Sequence, residues 1–266
     1  MKDIYSNVKS NDYEVLVKEN AKKLFEDELG FDNCDLEIES RLKRIRGKKV
    51  AVKLNKDINF KGKKVLEVGS GWGEVSYEIS KYGANVVGLE PNPELLNISK
   101  KLILIGDSKI SGNIKFVKGF GEKLPFKNKE FDVVISTSVI EHVDNVEDTL
   151  NEMLRVCKEG GIIYITCPNY LFPMEAHYGI FYPPLVPKFL GKFYLRLRGR
   201  PDSFIKHINY VTQRSISKKL KKFDLNVRDY NIDYYNSLDF GFKKFFWFFL
   251  LKINLNPNID LLIRKK

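Results

Sequence analysis

Cysteine is scarce in this 266-residue sequence: there are three, Cys34, Cys157 and Cys167, and no two of them have metal-ligand or redox spacing. Without a disulfide framework, a reducing, cytoplasmic setting is expected. Cys157 and Cys167 lie in apolar surroundings and read as small core residues. Long apolar runs are also missing. The longest, Phe245 to Leu251, is far shorter than the roughly 20 residues that span a bilayer. The opening Met1-Lys2-Asp3-Ile4-Tyr5 leads into charged sequence with no apolar signal core, so no export segment is expected. Histidine is just as rare, and His142, His177 and His207 are the whole supply of side chains that titrate near neutrality. No G-x-x-x-x-G-K-[ST] run occurs, which excludes a P-loop. No RNA-binding module is recognisable, so nucleic acid is not an expected partner. No His, Asp or Glu cluster has ligand spacing, so no metal is expected.

What the chain does have is apolar residues, 43% of the total, and positive charge, +11 in all. The first supports a folded core rather than disorder; the second favours anionic partners. The charge is uneven. Arg41 to Lys64 holds eleven Lys or Arg against Asp57 alone, and Lys188 to Lys222 holds eleven against Asp202 alone.

Residues 12–29 read as an amphipathic helix capped by Asp12 and stopped by Gly30, with Val15, Leu16, Leu24 and Phe25 as its stripe. Residues 36–60 are basic and partly helical. From Lys63 strands and helices alternate: strands at 65–68, 85–89, 114–117, 131–136 and 162–166, helices at 74–82, 94–105 and 146–157. This alternation means a parallel sheet with right-handed crossovers. After Pro168 it stops for a long segment rich in Pro, Tyr, Phe and Arg. Thr212 then caps a helix to Lys222, and strands follow at 225–230 and 259–263.

The segment Val65-Leu66-Glu67-Val68-Gly69-Ser70-Gly71-Trp72-Gly73 runs a strand into a glycine loop that opens a helix. Glycines let such a loop turn sharply and approach a ligand, and ligands of these sheets bind at the carboxyl ends of the strands. The spacing is G-x-G-x-G. The dinucleotide pattern G-x-G-x-x-G needs glycine where this chain has Glu74. Glu67, two residues before the first glycine, suits a cationic ligand better than a pyrophosphate; S-adenosylmethionine carries an ammonium and a sulfonium. Glu90 ends the second strand, where a carboxylate can accept from both ribose hydroxyls.

The stretch 63–168 resembles the class I S-adenosylmethionine-dependent methyltransferases of the small-molecule and lipid type, including the ubiquinone-biosynthesis O-methyltransferases. The matching runs are VLEVGSGWG, VVGLEPNPELL, FVKGFGEKLPFKNKEFDVVISTSVIEHVDN and EMLRVCKEGGIIYITCPN, in that order. The resemblance implies a Rossmann-like, seven-stranded, mostly parallel α/β sheet with helices on both faces and the last strand antiparallel. Around it are expected an N-terminal helical cap (1–60) and a methyltransferase domain (61–266) carrying an acceptor-side lid (169–211) and an aromatic insertion (234–256). It also implies site roles. Glu67 and the loop Gly69, Ser70, Gly71 and Gly73 hold the methionine moiety. Glu90 binds the ribose with Pro91 at its edge, Gly121 and Glu122 lie beside the adenine, and Ser136 and Val139 close over the cofactor. The family often has Asp at the position of Phe120, which puts the adenine contact here on a different footing.

Methyl transfer is an in-line displacement, in which positioning carries much of the rate and a hydroxyl acceptor gains from a base. His177, in the segment after strand five, His142, in the S-V-I-E-H-V run, and His207 are the candidates. The segment 170–210 interleaves aromatics with Arg196, Arg198 and Arg200, as a lid over a partly apolar, partly anionic acceptor would. The run 240–251, edged by Lys243, Lys244 and Lys252, has the composition of an interfacial helix. The expectation is O-methylation of a glycan, lipid or lipid-linked small molecule, with peripheral attachment to an anionic membrane surface. RNA or protein methylation and a non-catalytic cofactor-fold subunit are the alternatives.

Overall fold

The computed structural model describes residues 2–105 and 112–266. Strand β1 (Lys64–Val68) is central, paired in parallel with β2 (Asn85–Glu90) on one side and β4 (Phe131–Thr137) on the other. The sheet extends through β3 (Ile114–Lys118) at one edge. At the other lie β5 (Cys157–Pro168), β9 (Asn258–Lys265) and β8 (Leu225–Asp229), in the order β3-β2-β1-β4-β5-β9-β8. The last strand, β9, runs antiparallel to both its neighbours. The seven-stranded, mostly parallel sheet with an antiparallel final strand is as expected.

Side chains alternate across a strand, and the two faces of the sheet are both apolar. Leu66, Val68, Val87, Leu89, Val134 and Ile163 pack under helices α6 (Val146–Val156) and α8 (Gln213–Leu220). Val65, Val86, Val133 and Ile135 pack under α3 (Ile45–Asn55) and α4 (Glu74–Ser80), with Ala51, Leu54, Val75 and Ile79 between them. Helix α6 starts where Asn145 accepts from the amides of Glu147 and Asp148. Helix α8 starts at Thr212 in a capping box with Ser215.

The N-terminal helix departs from the expected boundaries. Helix α1 runs Lys2–Lys22, and a π-helical turn, Lys23–Glu28, continues it. Asp12 is therefore not a cap; it sits inside α1 and pairs with Lys101 on α5 (Pro93–Ile105). Tyr13, Val17 and Ala21 of α1 and Ile38 of α2 (Asp35–Leu42) bury against Trp72, Tyr77, Ile98 and Leu102.

Both insertions leave from the carboxyl edge of the sheet, because β5 and β8 point the same way. After β5 come a short hairpin, β6 (Met174–Glu175) and β7 (Ile180–Phe181), then α7 (Lys188–Leu197) and a 3-10 turn at Phe204–His207. The strand expected to end at Tyr230 ends at Asp229, which caps α9 (Tyr230–Ser237) through the amide of Asn231. Helix α10 (Phe242–Lys252) follows. Asn169, just past β5, ties the return segment down by donating to the carbonyls of Asn254 and Asn256.

Candidate active site

The carboxyl ends of β1, β2 and β4 open into a cavity of about 670 Å³, within the range of small-molecule sites. Its floor is the glycine loop. Gly69 has φ +69° and faces Val139, whose Cγ2 would lie 2.3 Å from an added Cβ. Gly71, at φ +52°, faces open space. The first glycine is needed for packing, and the second leaves room for a ligand.

Glu67 shares a sheet face with Val65, so its carboxylate meets α4: Oε2 accepts from the amide (2.8 Å) and hydroxyl (2.5 Å) of Ser76. Burial pushes its pKa up to about 8 against those bonds. Glu67 lines the cavity as expected, and it also anchors the helix that the loop opens. Glu90, also buried, accepts from Gly71 N at 2.8 Å through Oε2 and from Asn92 N at 3.0 Å through Oε1. Burial raises its pKa, opposed by these two amides. Its carboxylate joins the ends of two strands while facing the cavity.

Ser70, Pro91, Gly121, Glu122 and Val139 also line the cavity. Gly73 does not; an added Cβ there would meet Phe116 and Ser99 beneath the loop. Glu122 has one oxygen committed to the amide of Asp144 at 2.7 Å, so it pins the segment following His142 as well as walling the site. Phe120 is exposed at the rim, placed to stack on a flat ring rather than to accept a hydrogen bond. Ser136 requires a correction. Strand β4 runs on through Thr137, and alternation turns Ser136 into the core on the α6 face, fully buried. Thr137, Ser138 and Val139 line the cavity in its place.

The three histidines separate. His142 and His177 line the cavity with ring centroids 5.0 Å apart, and both pack on Phe204. His207 is exposed at the end of its turn and outside the lining; the 3-10 turn gives the inward position to Phe204. His177 is held by a residue that sequence reasoning missed. Buried Glu175 accepts from the amides of His177 (2.7 Å) and Tyr178 (2.8 Å), faces His177 Nδ1 at 2.8 Å and accepts from the Tyr170 hydroxyl at 3.2 Å. Burial opposes its ionisation, but the imidazole and the two amides outweigh burial and keep its pKa below the ordinary carboxylate value. An ionised Glu175 only accepts, so His177 Nδ1 is the donor in this contact. His142, a third exposed, is pushed down to about 4 by burial and by His177, and stands as neutral imidazole.

Two further features were not legible in the spacing. Arg46 of α3 is half-buried and donates to the carbonyl of Thr137 at 2.8 Å; loss of solvent and the nearby Arg41 lower its pKa, with Glu74, Glu67 and Glu141 opposing. It reaches the cavity from outside the motif region. Glu141 is wholly buried, and neither of its carboxylate oxygens has a hydrogen-bond partner among the described residues. The donor atoms of Glu141, His142 and His177 all lie within 4.8 Å of one another. The absence of ligand spacing in the sequence is therefore no guide here, because folding gathers from two segments what spacing keeps apart.

Residues 66–165 match the family model described as "Methyltransferase domain". The demethylmenaquinone methyltransferase of Chlorobaculum tepidum is 33% identical over 135 residues, 49% of this chain and 52% of that one. A ubiquinone/menaquinone biosynthesis C-methyltransferase, UbiE, of Pseudomonas savastanoi is 30% identical over 165 residues, 58% of this chain and 63% of that one. The chain thus spans less than two thirds of the length of these curated relatives. Among solved structures, the PH0226 protein of Pyrococcus horikoshii covers 85% of this chain (92% of its own) at TM-score 0.57 and 18% identity. An S-adenosylmethionine-dependent methyltransferase of Mesorhizobium loti covers 82% (98% of its own) at 0.55 and 12%. These two share the fold. Residues 66–165 carry the match to a methyltransferase domain, and the motif runs and strand order resemble those of the class I S-adenosylmethionine-dependent methyltransferases, quinone-biosynthesis enzymes among them.

Proposed function

We propose that the chain methylates a hydroxyl of a small acceptor with an apolar tail, at the membrane face, using S-adenosylmethionine. The observation that carries the reading is the shared cavity. One end holds the glycine loop and Glu90; the other holds His177, its Nδ1 buttressed by Glu175. The residues fit the cofactor. Gly71 faces open space, the Ser70 hydroxyl has no partner, and Glu90 keeps lone pairs beyond the two amides it serves. When bound, S-adenosylmethionine supplies a methyl group already activated by its sulfonium. The chain's task is alignment: Glu67 and the loop hold the methionine end, Glu90 the ribose, and Gly121 and Phe120 the adenine side. Arg46 offers a half-buried cation for the methionine carboxylate. The acceptor hydroxyl meets the histidine end, where Phe25, Leu29 and Phe204 give an apolar wall.

Two exposed apolar faces support an acceptor with a tail. On α7, Phe189, Leu190, Phe193 and Leu197 are exposed, while Leu195 is buried. On α10, Phe242, Phe245, Phe246, Phe248 and Phe249 are exposed, and Leu250 is buried. Lys188, Lys192, Lys243 and Lys252 stand among them. Aromatic faces with interleaved lysine suit the boundary of an anionic bilayer. No helix among the described residues is long and apolar enough to cross a membrane. The name of one relative, a C-methyltransferase, favours a second acceptor atom, carbon; the same histidine end serves both.

The test is a methyl-transfer assay with radiolabelled S-adenosylmethionine and membrane lipid extract, followed by product mass analysis. Label in an extractable product, lost in His177→Ala with cofactor binding retained, supports the reading. Label confined to protein or RNA overturns it.

A further inference from the structure

We infer that Glu141, His142 and His177 bind one divalent transition-metal ion at the acceptor end of the cavity. Glu141 is 0% exposed, and neither of its oxygens has a partner among the described residues. A buried carboxylate without hydrogen bonds is costly, and a fold that keeps one has a cation to place against it. Arg46 acts on Glu141 only through its charge: its guanidinium donates to the carbonyl of Thr137, and neither Glu141 oxygen has a hydrogen-bond partner among the described residues. Two imidazoles do stand there. The donor atoms of the three side chains lie within 4.8 Å of one another, and His142 Nε2 is 3.9 Å from Glu141 Oε1. A tetrahedral ion with bonds of about 2.0–2.1 Å sets its donors about 3.3–3.5 Å apart. Small torsions of His142, which is partly exposed, close that difference.

The surroundings of His177 point the same way. Its Nδ1 lies 2.8 Å from Oε1 of buried Glu175, which leaves Nε2 as the ligating nitrogen. A carboxylate behind a histidine fixes the tautomer and raises the basicity of the ligating nitrogen, as in metal sites generally. Two imidazoles and one carboxylate suit zinc or manganese better than magnesium or calcium, which prefer oxygen donors. Three protein ligands leave a position open, and the open side here is the cavity. This rests on the reading that an acceptor hydroxyl enters at this end. An ion there lowers the pKa of that hydroxyl, whose proton passes to solvent, and no redox change is required.

Chelator-stripped protein is titrated with Zn²⁺, Mn²⁺ and Mg²⁺ by calorimetry. One Zn²⁺ or Mn²⁺ per chain is expected, with Mg²⁺ at least tenfold weaker. Glu141→Gln, His142→Ala and His177→Ala should each weaken Zn²⁺ tenfold or more, and His207→Ala should not. Glu141→Gln removes an unpaired buried charge, so its apoprotein Tm should hold or rise, which separates a lost ligand from a lost fold. Absence of Zn²⁺ and Mn²⁺ binding, or full affinity in Glu141→Gln and His177→Ala, overturns the site. S-adenosylhomocysteine binding is measured in the same samples. If it persists and methyl transfer survives the chelator, the metal site fails and the methyltransferase reading stands. If it is absent while Zn²⁺ binds, the methyltransferase reading fails and the metal site stands.

Discussion

Replacing Glu90 by Ala tests the cofactor end most directly. An ionised carboxylate has about four acceptor sites. In the folded chain two are used, Oε2 by Gly71 N and Oε1 by Asn92 N, which leaves one on each oxygen for the two ribose hydroxyls. Hydrogen bonds to a charged group contribute roughly 1.5–3 kcal/mol each. Losing one or both at the lower value is about 1.5–3 kcal/mol, a weakening of about 10- to 150-fold at 1.4 kcal/mol per decade. The substitution also leaves the amides of Gly71 and Asn92 without their acceptor, so the apoprotein Tm should fall by roughly 2–4 °C per kcal/mol for a chain of this size. Calorimetry with S-adenosylmethionine and with S-adenosylhomocysteine separates the two effects. The ribose is common to both, so both affinities should fall by the same factor. Binding within threefold of wild type in a folded Glu90→Ala protein would refute the ribose role; a change in the ratio of the two affinities would move Glu90 to the sulfonium.

Glu175→Gln keeps the side chain's size but removes the charge behind His177, so methyl transfer should fall about 10- to 100-fold with S-adenosylhomocysteine affinity unchanged; equal losses in both would make Glu175 a purely structural residue. Glu67 holds a proton in the folded apoprotein up to about pH 8, while the unfolded chain releases it near the ordinary carboxylate value. The folded state then binds the extra proton across that window, and apoprotein stability should decline as pH rises through it. Denaturant midpoints at pH 6 and 9 check this, and the decline should flatten in Glu67→Gln. Vesicles containing anionic lipid should sediment the wild-type chain at low salt and release it as salt screens the attraction. Phe189→Ser/Phe193→Ser and Phe242→Ser/Phe245→Ser should each reduce sedimentation without lowering Tm, because all four rings are exposed; a fall in Tm would assign them to packing.

The sheet was legible because each strand is a short apolar run with its own turn chemistry, and the cofactor end because Gly69, Gly71, Glu67 and Glu90 lie close together in sequence. What was missed depends on tertiary contact. Asp12 looks like a cap until α1 extends past it. Ser136 looks like a cavity residue until the length of β4 fixes which face it takes. Glu175 is unremarkable in sequence, because its partners Tyr170 and His177 meet it only when the hairpin β6–β7 turns back over β5. Arg46 lies outside every motif, and only the packing of α3 on α4 brings it to Thr137.

The meaning of the positive charge changes in the same way. In the sequence, Arg41 to Lys64 is a basic stretch of the kind that binds polyanions. In the fold, Arg41 pairs with Glu74, Arg44 with Glu78, Lys53 with Asp260 and Lys64 with Glu130. Arg41 and Arg44 also lie over the rings of Trp72 and Tyr77. That stretch fastens the N-terminal helices to the sheet, and five of its eleven cations are in salt bridges within the fold. The later stretch is different. Arg196 pairs with Asp202, and Lys219 and Lys222 share Glu147, but Lys188 and Lys192 remain on α7 beside Phe189, Phe193 and Leu197, all exposed. A basic surface that also exposes aromatic rings gains little from a phosphate backbone alone, which would leave the rings in water. A lipid boundary takes both at once. On the proposed reading, the positive charge that bears on function is the part on the acceptor-side segment, at the same edge of the sheet as His177.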